Sequence, residues 1–271
     1  MYESFYSLKQ KPFAITSNPA FLFLSQRHKE ALAHLTYGIR ERVGFIEITG
    51  EIGAGKTTIC RALLNRLDEK TRSAFIFNSN LSENQLMQTI VEDLGIKTRQ
   101  KNKAALFSEL NRFLIEQLAL GNNVVIIIDE AQNLSLRLLE QVRMLSNLES
   151  ENEKLLQIVL VGQSELREKL SRPELRQLRQ RIAVRYHIGA LSREEVAQYI
   201  AHRLFLAGAN GATPVFDHAA VDEIYRYSGG VPRLINMLCN KALLAGFVAE
   251  ARNIRDDIVK QAVLELEGVS V

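Results

Sequence analysis

Ten residues, TGEIGAGKTT at positions 49–58, constrain this chain more than any others. The run Gly50-Glu51-Ile52-Gly53-Ala54-Gly55-Lys56-Thr57, followed by Thr58, fits the spacing G-x-x-x-x-G-K-[ST]. Glycine lets a backbone turn sharply enough to aim successive amide N–H groups into one concavity. A helix expected from Thr57 adds the positive end of its dipole. Together these features predict a phosphate cradle. In it Lys56 reaches the β- and γ-phosphates of a nucleotide and the Thr57 hydroxyl binds Mg²⁺. The competing reading is a chance match, but the context is the required one. GFIEIT (44–49) is short, apolar and β-branched, and runs straight into the loop.

The same alternation continues along the chain. Strands are expected at 73–78 (SAFIFN), 123–129 (NVVIIID), 156–161 (LQIVLV) and 183–188 (AVRYHI). Helices are expected at 25–42, 57–67, 82–94, 103–118, 135–148 and 164–181, the last interrupted by Pro173. Strands alternating with helices predict a parallel α/β sheet with helices on both faces. After Leu191 the strands stop. Ser192 opens a capping box with Glu195, and helices are expected at 192–206, 217–227, 232–250 and 255–266. The expected organisation is an α/β core over 1–190, including an N-terminal segment 1–42, followed by a small all-helical lid over 191–271.

The strand 123–129 carries the second half of the chemistry. Five consecutive β-branched residues, Val124 to Ile128, end in Asp129-Glu130, where a parallel sheet presents ligands. Asp129 is expected to hold Mg²⁺ through water. Glu130, one residue beyond, is placed to take a proton from an attacking water. The alternative is a surface acidic pair capping the next helix. Asn78, closing the second strand, has two readings: an amide that holds Glu130 in an inactive pose, or a residue favouring a turn.

Bulk properties only bound the answer. The chain has 271 residues, 46% hydrophobic and 24% charged, enough for a large core and a smaller second unit. The net charge of +3 neither demands nor excludes a nucleic-acid partner. Cys60 and Cys239 lack metal-ligand spacing and are expected as reduced, buried thiols in helices. The start, MYESFYSLKQ, lacks the order of a signal peptide, and no apolar run approaches the roughly 20 residues of a membrane span. The expectation is a soluble, cytoplasmic protein.

These residues resemble the AAA+ ATPases, and more narrowly the ExeA type, the general secretion pathway protein A family. The likeness runs through YESFYSLKQKPF (2–13), NPAFLFLSQRHKEALAHLTYGI (18–39), DEAQNLSLRLLEQVRMLSNLE (129–149), LLQIVLVGQSELREKL (155–170), RPELRQLRQRI (172–182) and GGVPRLIN (229–236). It covers nearly the whole chain. The phosphate motifs are common to all such ATPases; the opening segment and the VGQ-x-EL and RPELRQL-x-QRI runs are more specific.

The resemblance implies a P-loop NTPase (AAA+) fold with a parallel-sheet αβα core and helical lid, and ATP and Mg²⁺ as cofactors. It implies a sensor role for Gln163 near the γ-phosphate or attacking water. Arg233 matches a second sensor reaching the nucleotide from the lid, aimed by the Gly-Gly-x-Pro turn. An arginine finger is expected to cross to a neighbouring subunit, which implies a ring or filament of copies. Arg176, Arg179 and Arg181 are the candidates, with Arg181 and Arg179 ahead; a solvated basic helix face is the other reading. The adenine ring is expected beside residues 21–28, where the aromatics also read as core. The implied work is ATP hydrolysis driving assembly of an envelope machine (a secretin, a pilus or a polysaccharide exporter). That places the chain in the cytoplasm, held near the inner membrane through a protein partner.

Two departures stand out. Gln163-Ser164 stands where Gln-Pro is common. The transmembrane helix and peptidoglycan-binding domain of many members are not found in residues 1–271, so direct peptidoglycan contact is not expected of them. The alternative function is an ATP-switched DNA-binding regulator, such as a transposition target selector. It rests on the five arginines between Arg172 and Arg185 and on the acid-free segment 94–106 with Lys97, Arg99, Lys101 and Lys103, which also reads as a solvated loop.

Overall fold

The computed structural model describes residues 1–14, 19–77, 81–99, 101–148, 154–209 and 216–268. Asn78 lies outside the described residues. In chain order the elements are α1 (Tyr2–Phe5), α2 (Gln26–Arg40), β1 (Phe45–Gly50), α3 (Lys56–Leu64), β2 (Thr71–Ile76), α4 (Glu83–Asp93), α5 (Lys103–Ala119) and β3 (Asn123–Ile128). There follow α6 (Leu136–Leu145), β4 (Gln157–Gly162), α7 (Ser164–Leu170), α8 (Arg176–Arg181), β5 (Ile182–Ile188), α9 (Arg193–Leu206), α10 (His218–Ser228), α11 (Pro232–Val248) and α12 (Asp256–Leu266). Two compact units divide them. One takes Met1–Gln26, Glu51–Thr58 and Gly189–Val271; the other takes Arg27–Gly50 and Ile59–Ile188.

The second unit is built on one five-stranded sheet in the order β2-β3-β4-β1-β5, every pair parallel. Parallel pairing requires both faces covered, which explains why β1 and β4 are buried along their whole length. Leu106, Leu110 and Leu114 of α5 recur at helical spacing and join the sheet residues Ile126, Ile128, Ile158 and Leu160 in one core. β2 begins two residues earlier than its apolar run suggests. Its partner β3 starts at Asn123, and the ladder pairs Thr71 with Asn123 through to Ile76 with Ile128. Pro173 splits the expected 164–181 helix into α7, a 3₁₀ turn over Pro173–Leu175, and α8. Arg172, held extended at ψ 146° before the proline, is where the helix cannot continue.

The first unit is helical. The Ser192 hydroxyl and Glu195 carboxylate form the expected capping box at the start of α9. Its core joins the N-terminal Tyr2, Tyr6, Phe13 and Phe21 to Val196, Ile224, Ile235, Leu238 and Leu243. The Tyr6 hydroxyl donates to the Ala251 carbonyl at 2.9 Å and the Tyr2 hydroxyl to Asn240 Oδ1 at 2.6 Å. Burial pushes both phenols up to about 12, with Glu3 adding to the effect on Tyr2 and Arg252 opposing it on Tyr6. A folded pKa above the unfolded value of about 10 means stability that is intact below pH 10 and lost as pH climbs through about 12. Alkaline titration followed by circular dichroism should show unfolding in that window. Tyr6→Phe should flatten the pH dependence; a parent protein indifferent to pH from 10 to 12 contradicts this.

Candidate functional site

In the first unit the loop is folded as its glycines require. Gly53 and Gly55 adopt φ of +81° and +90°, a region costly for residues with a β-carbon. The Lys56 side chain is buried and folds back, its Nζ donating to the Glu51 carbonyl at 2.9 Å. The Ala54 amide donates to the same carbonyl at 3.1 Å, closing the turn, while Glu51 and Ile52 are exposed. Thr57 and Thr58 are half-buried in the first turn of α3.

Arg233 meets this loop from α11. A β-carbon added at Gly53 would lie 2.4 Å from Arg233 Cβ, so the arginine stem is packed against the glycine backbone. The turn before α11 sets that position. Gly229 and Gly230 sit at φ +55° and +79°, the Leu191 amide donates to the Gly230 carbonyl at 2.9 Å, and Pro232 opens the helix. The aromatics expected near an adenine ring are engaged in this unit's own packing. Phe21 is buried beneath the Arg203 guanidinium, and Phe23 stands edge-on to Tyr199.

In the second unit the C-terminal ends of β1, β3 and β4 lie along one edge of the sheet, with Thr49 opposite Gly162 and Ile128 opposite Leu160. Asp129 is fully buried there. Its amide continues the ladder to the Ile76 carbonyl at 2.9 Å, and its Oδ1 accepts the Glu130 amide at 2.9 Å. Glu130 is left-handed, φ 52° and ψ 36°, a conformation that costs on the order of 1–3 kcal/mol in a residue other than glycine. Its Oε2 accepts from Gln132 Nε2 at 2.5 Å and from Gln163 Nε2 at 3.3 Å. Lys169 Nζ donates to the carbonyls of Gln132 and Leu134, tying down the turn that carries this glutamate. Burial, with Arg172 nearby, holds the Lys169 ammonium below its ordinary range.

The arginines differ in their surroundings. Arg181 donates to Ser146 Oγ at 2.8 Å and to Asn147 Oδ1. The Arg179 guanidinium reaches the Ser171 carbonyl at 3.5 Å and makes no other hydrogen bond among the described residues. The Arg176 side chain is exposed and makes no hydrogen bond or ion pair among the described residues, while its amide donates to the Pro173 carbonyl. Arg185 pairs with the buried Glu47, and Lys103 with Glu83. Two cations of the basic stretches are therefore neutralised within the chain.

A family model described as an AAA domain matches residues 39–170. General secretion pathway protein A of Aeromonas hydrophila is 42% identical over 270 residues, 99% of this chain and 49% of that protein. The chain has the AAA+ fold, and over nearly its whole length it is similar to general secretion pathway protein A. It spans about half the length of that curated relative. Solved AAA+ structures share the fold at low identity. The Aeropyrum pernix ORC2 protein superposes with a TM-score of 0.69 at 20% identity, covering 95% of this chain and 72% of that one. The Thermotoga maritima RuvB Holliday junction branch migration motor gives 0.56 at 20%, covering 90% and 70%. In this AAA+ chain, β4 therefore separates the strand leading into the phosphate loop from the strand ending at Asp129. Lys56, Thr57, Asp129, Glu130, Gln163 and Arg233 are legible in the sequence as candidates, whereas Gln132 and Lys169 are not. The only signal for Gln132 was a polar residue in the turn after Glu130. No helix among the described residues is long and apolar enough to cross a membrane.

Proposed function

We propose that this chain is a Mg²⁺-dependent ATP hydrolase that couples its cycle to movement of the helical segment 191–271 against the core 1–190. The observation that carries this reading is the packing of Arg233 on Gly53. Arg233, a cation of α11 packed against the phosphate loop within the first unit, would feel loss of the γ-phosphate directly. Residues 50–58 hold the phosphates, with Lys56 turning from the Glu51 carbonyl onto them. Thr57 and Asp129 offer the hard oxygen donors that Mg²⁺ takes alongside phosphates and water, so the residues fit that ion. Bound there, it neutralises phosphate charge. Glu130 accepts the proton of the attacking water, Gln163 orients that water, and the products are ADP and phosphate.

A neighbouring copy supplies an arginine to complete the site in a homo-oligomer. Of Arg176, Arg179 and Arg181, the exposed Arg176 is the least committed within its own chain. The work proposed, from the likeness to general secretion pathway protein A, is assembly of an envelope machine through an inner-membrane protein partner. Binding to DNA remains the lesser reading. The pairing of Arg185 and Lys103 with acids of the same chain weakens it.

Arg233→Ala tests the coupling. A charged hydrogen bond to phosphate contributes roughly 1.5–3 kcal/mol. Its loss should weaken ATP affinity or turnover about 10- to 100-fold, measured by nucleotide titration and phosphate release. Lys56→Ala should abolish both. An Arg233→Ala protein with the parent's affinity and rate ends the lid-coupling reading.

A further inference from the structure

The geometry points to Gln132 as the positioning residue for Glu130: we infer that its amide clamps the glutamate to the end of β4, holding one carboxylate oxygen so that the other is presented to water. This rests on the reading of Glu130 as the proton acceptor.

The amide has two partners and one possible orientation. The Gln163 backbone N–H lies 3.0 Å from Gln132 Oε1. A backbone N–H can only donate, so the amide oxygen must face it, and Nε2 is thereby turned to Glu130. The same amide thus ties Glu130 Oε2 to the first residue after β4. Gln163 adds its own side-chain donor to that oxygen. The clamp is itself buttressed. Lys169 holds the Gln132 carbonyl, and Gly162 leaves room for the amide, since a β-carbon there would lie 2.8 Å from Gln132 Oε1. A left-handed glutamate persists only when its surroundings over-determine it, and these contacts do so. Glu130 Oε1 has no hydrogen-bond partner among the described residues, which leaves it as the oxygen for the incoming proton.

Gln163 therefore matters to Glu130 twice, through its side chain and through its backbone. A residue that senses the γ-phosphate at the end of β4 would be linked to the base through Gln132.

The test compares Gln132→Met, which keeps the length and removes both hydrogen bonds, with Gln132→Glu, which keeps an oxygen toward Gln163 but sets a second carboxylate against Glu130. Steady-state ATP hydrolysis and ATP affinity are measured on the full chain, with Glu130→Gln alone and combined with Gln132→Met. The expected result is a kcat about 10- to 100-fold lower in both single variants, with ATP affinity within twofold of the parent. The double variant should be no slower than Glu130→Gln, because a positioning residue acts only through the group it positions. A simple loss of folding would instead lower affinity and kcat together. If Gln132→Met melts early, Gln132→Asn serves, its amide too short to reach both partners. Parent kcat in Gln132→Met, with Glu130→Gln inactive, overturns this inference. Parent kcat in Glu130→Gln overturns the reading beneath it.

Discussion

A Glu130→Gln protein should bind ATP as the parent does and hydrolyse it at least about a hundredfold more slowly. The size follows from the role, since a positioned general base contributes roughly 10²–10⁴-fold. The geometry explains why binding should survive. Glutamine is nearly isosteric with glutamate, and it can keep an oxygen toward the Gln132 and Gln163 amides that now donate to Oε2. The left-handed turn at residue 130 is fixed by contacts the substitution leaves in place: the Asp129 carboxylate on the Glu130 amide, the Asn133 amide on the Glu130 carbonyl at 2.9 Å, and Lys169 beyond it. Only the ability to accept a proton is lost. A single-turnover experiment separates binding from chemistry. ATP retained and unhydrolysed is the expected outcome; a rate within threefold of the parent would remove Glu130 from the mechanism.

The elements of this chain were legible where local chemistry speaks loudly. Val124 to Ile128 could only be a buried strand, and Ser192 with Glu195 announced the start of α9. The glycine loop declared its turn because Gly53 and Gly55 occupy backbone conformations that other residues resist. What stayed hidden depended on partners distant in the chain. Gln132 reaches Gln163, 31 residues away, through a side chain whose role no spacing reveals. The start of β2 was set by its pairing with β3 rather than by its own apolar run. Arg181 read as an outward basic residue, yet it bonds Ser146, 35 residues earlier, because α8 follows a proline break that α6 packs against. The residues at 21–28 posed a different difficulty. Aromatic side chains suit a base or a core equally well, and Phe21 and Phe23 pack within their own unit.

The turn at Gly229-Gly230 supports the second large effect. Gly230→Ala should destabilise the helical unit by about 3 kcal/mol, whereas Gly229→Ala should cost about 1 kcal/mol. Both glycines have positive φ, so both substitutions bring the left-handed penalty. Their surroundings differ. A β-carbon at Gly229 meets nothing within 4 Å, but one at Gly230 would lie 2.1 Å from the Leu191 carbonyl oxygen. That carbonyl is backbone and cannot swing aside like a side chain. Its own residue is pinned, because the Leu191 amide donates to the Gly230 carbonyl at 2.9 Å. Relief must therefore come from moving the turn, and the turn carries Pro232 and Arg233. Thermal or urea unfolding gives the stability difference between the two variants, and nucleotide titration shows whether Gly230→Ala also weakens ATP binding, as a displaced Arg233 requires. Equal destabilisation by the two substitutions would mean that the approach to Leu191 is not tight. A destabilised Gly230→Ala protein with unchanged nucleotide affinity would mean instead that Arg233 is positioned by α11 and not by the glycine turn that precedes it.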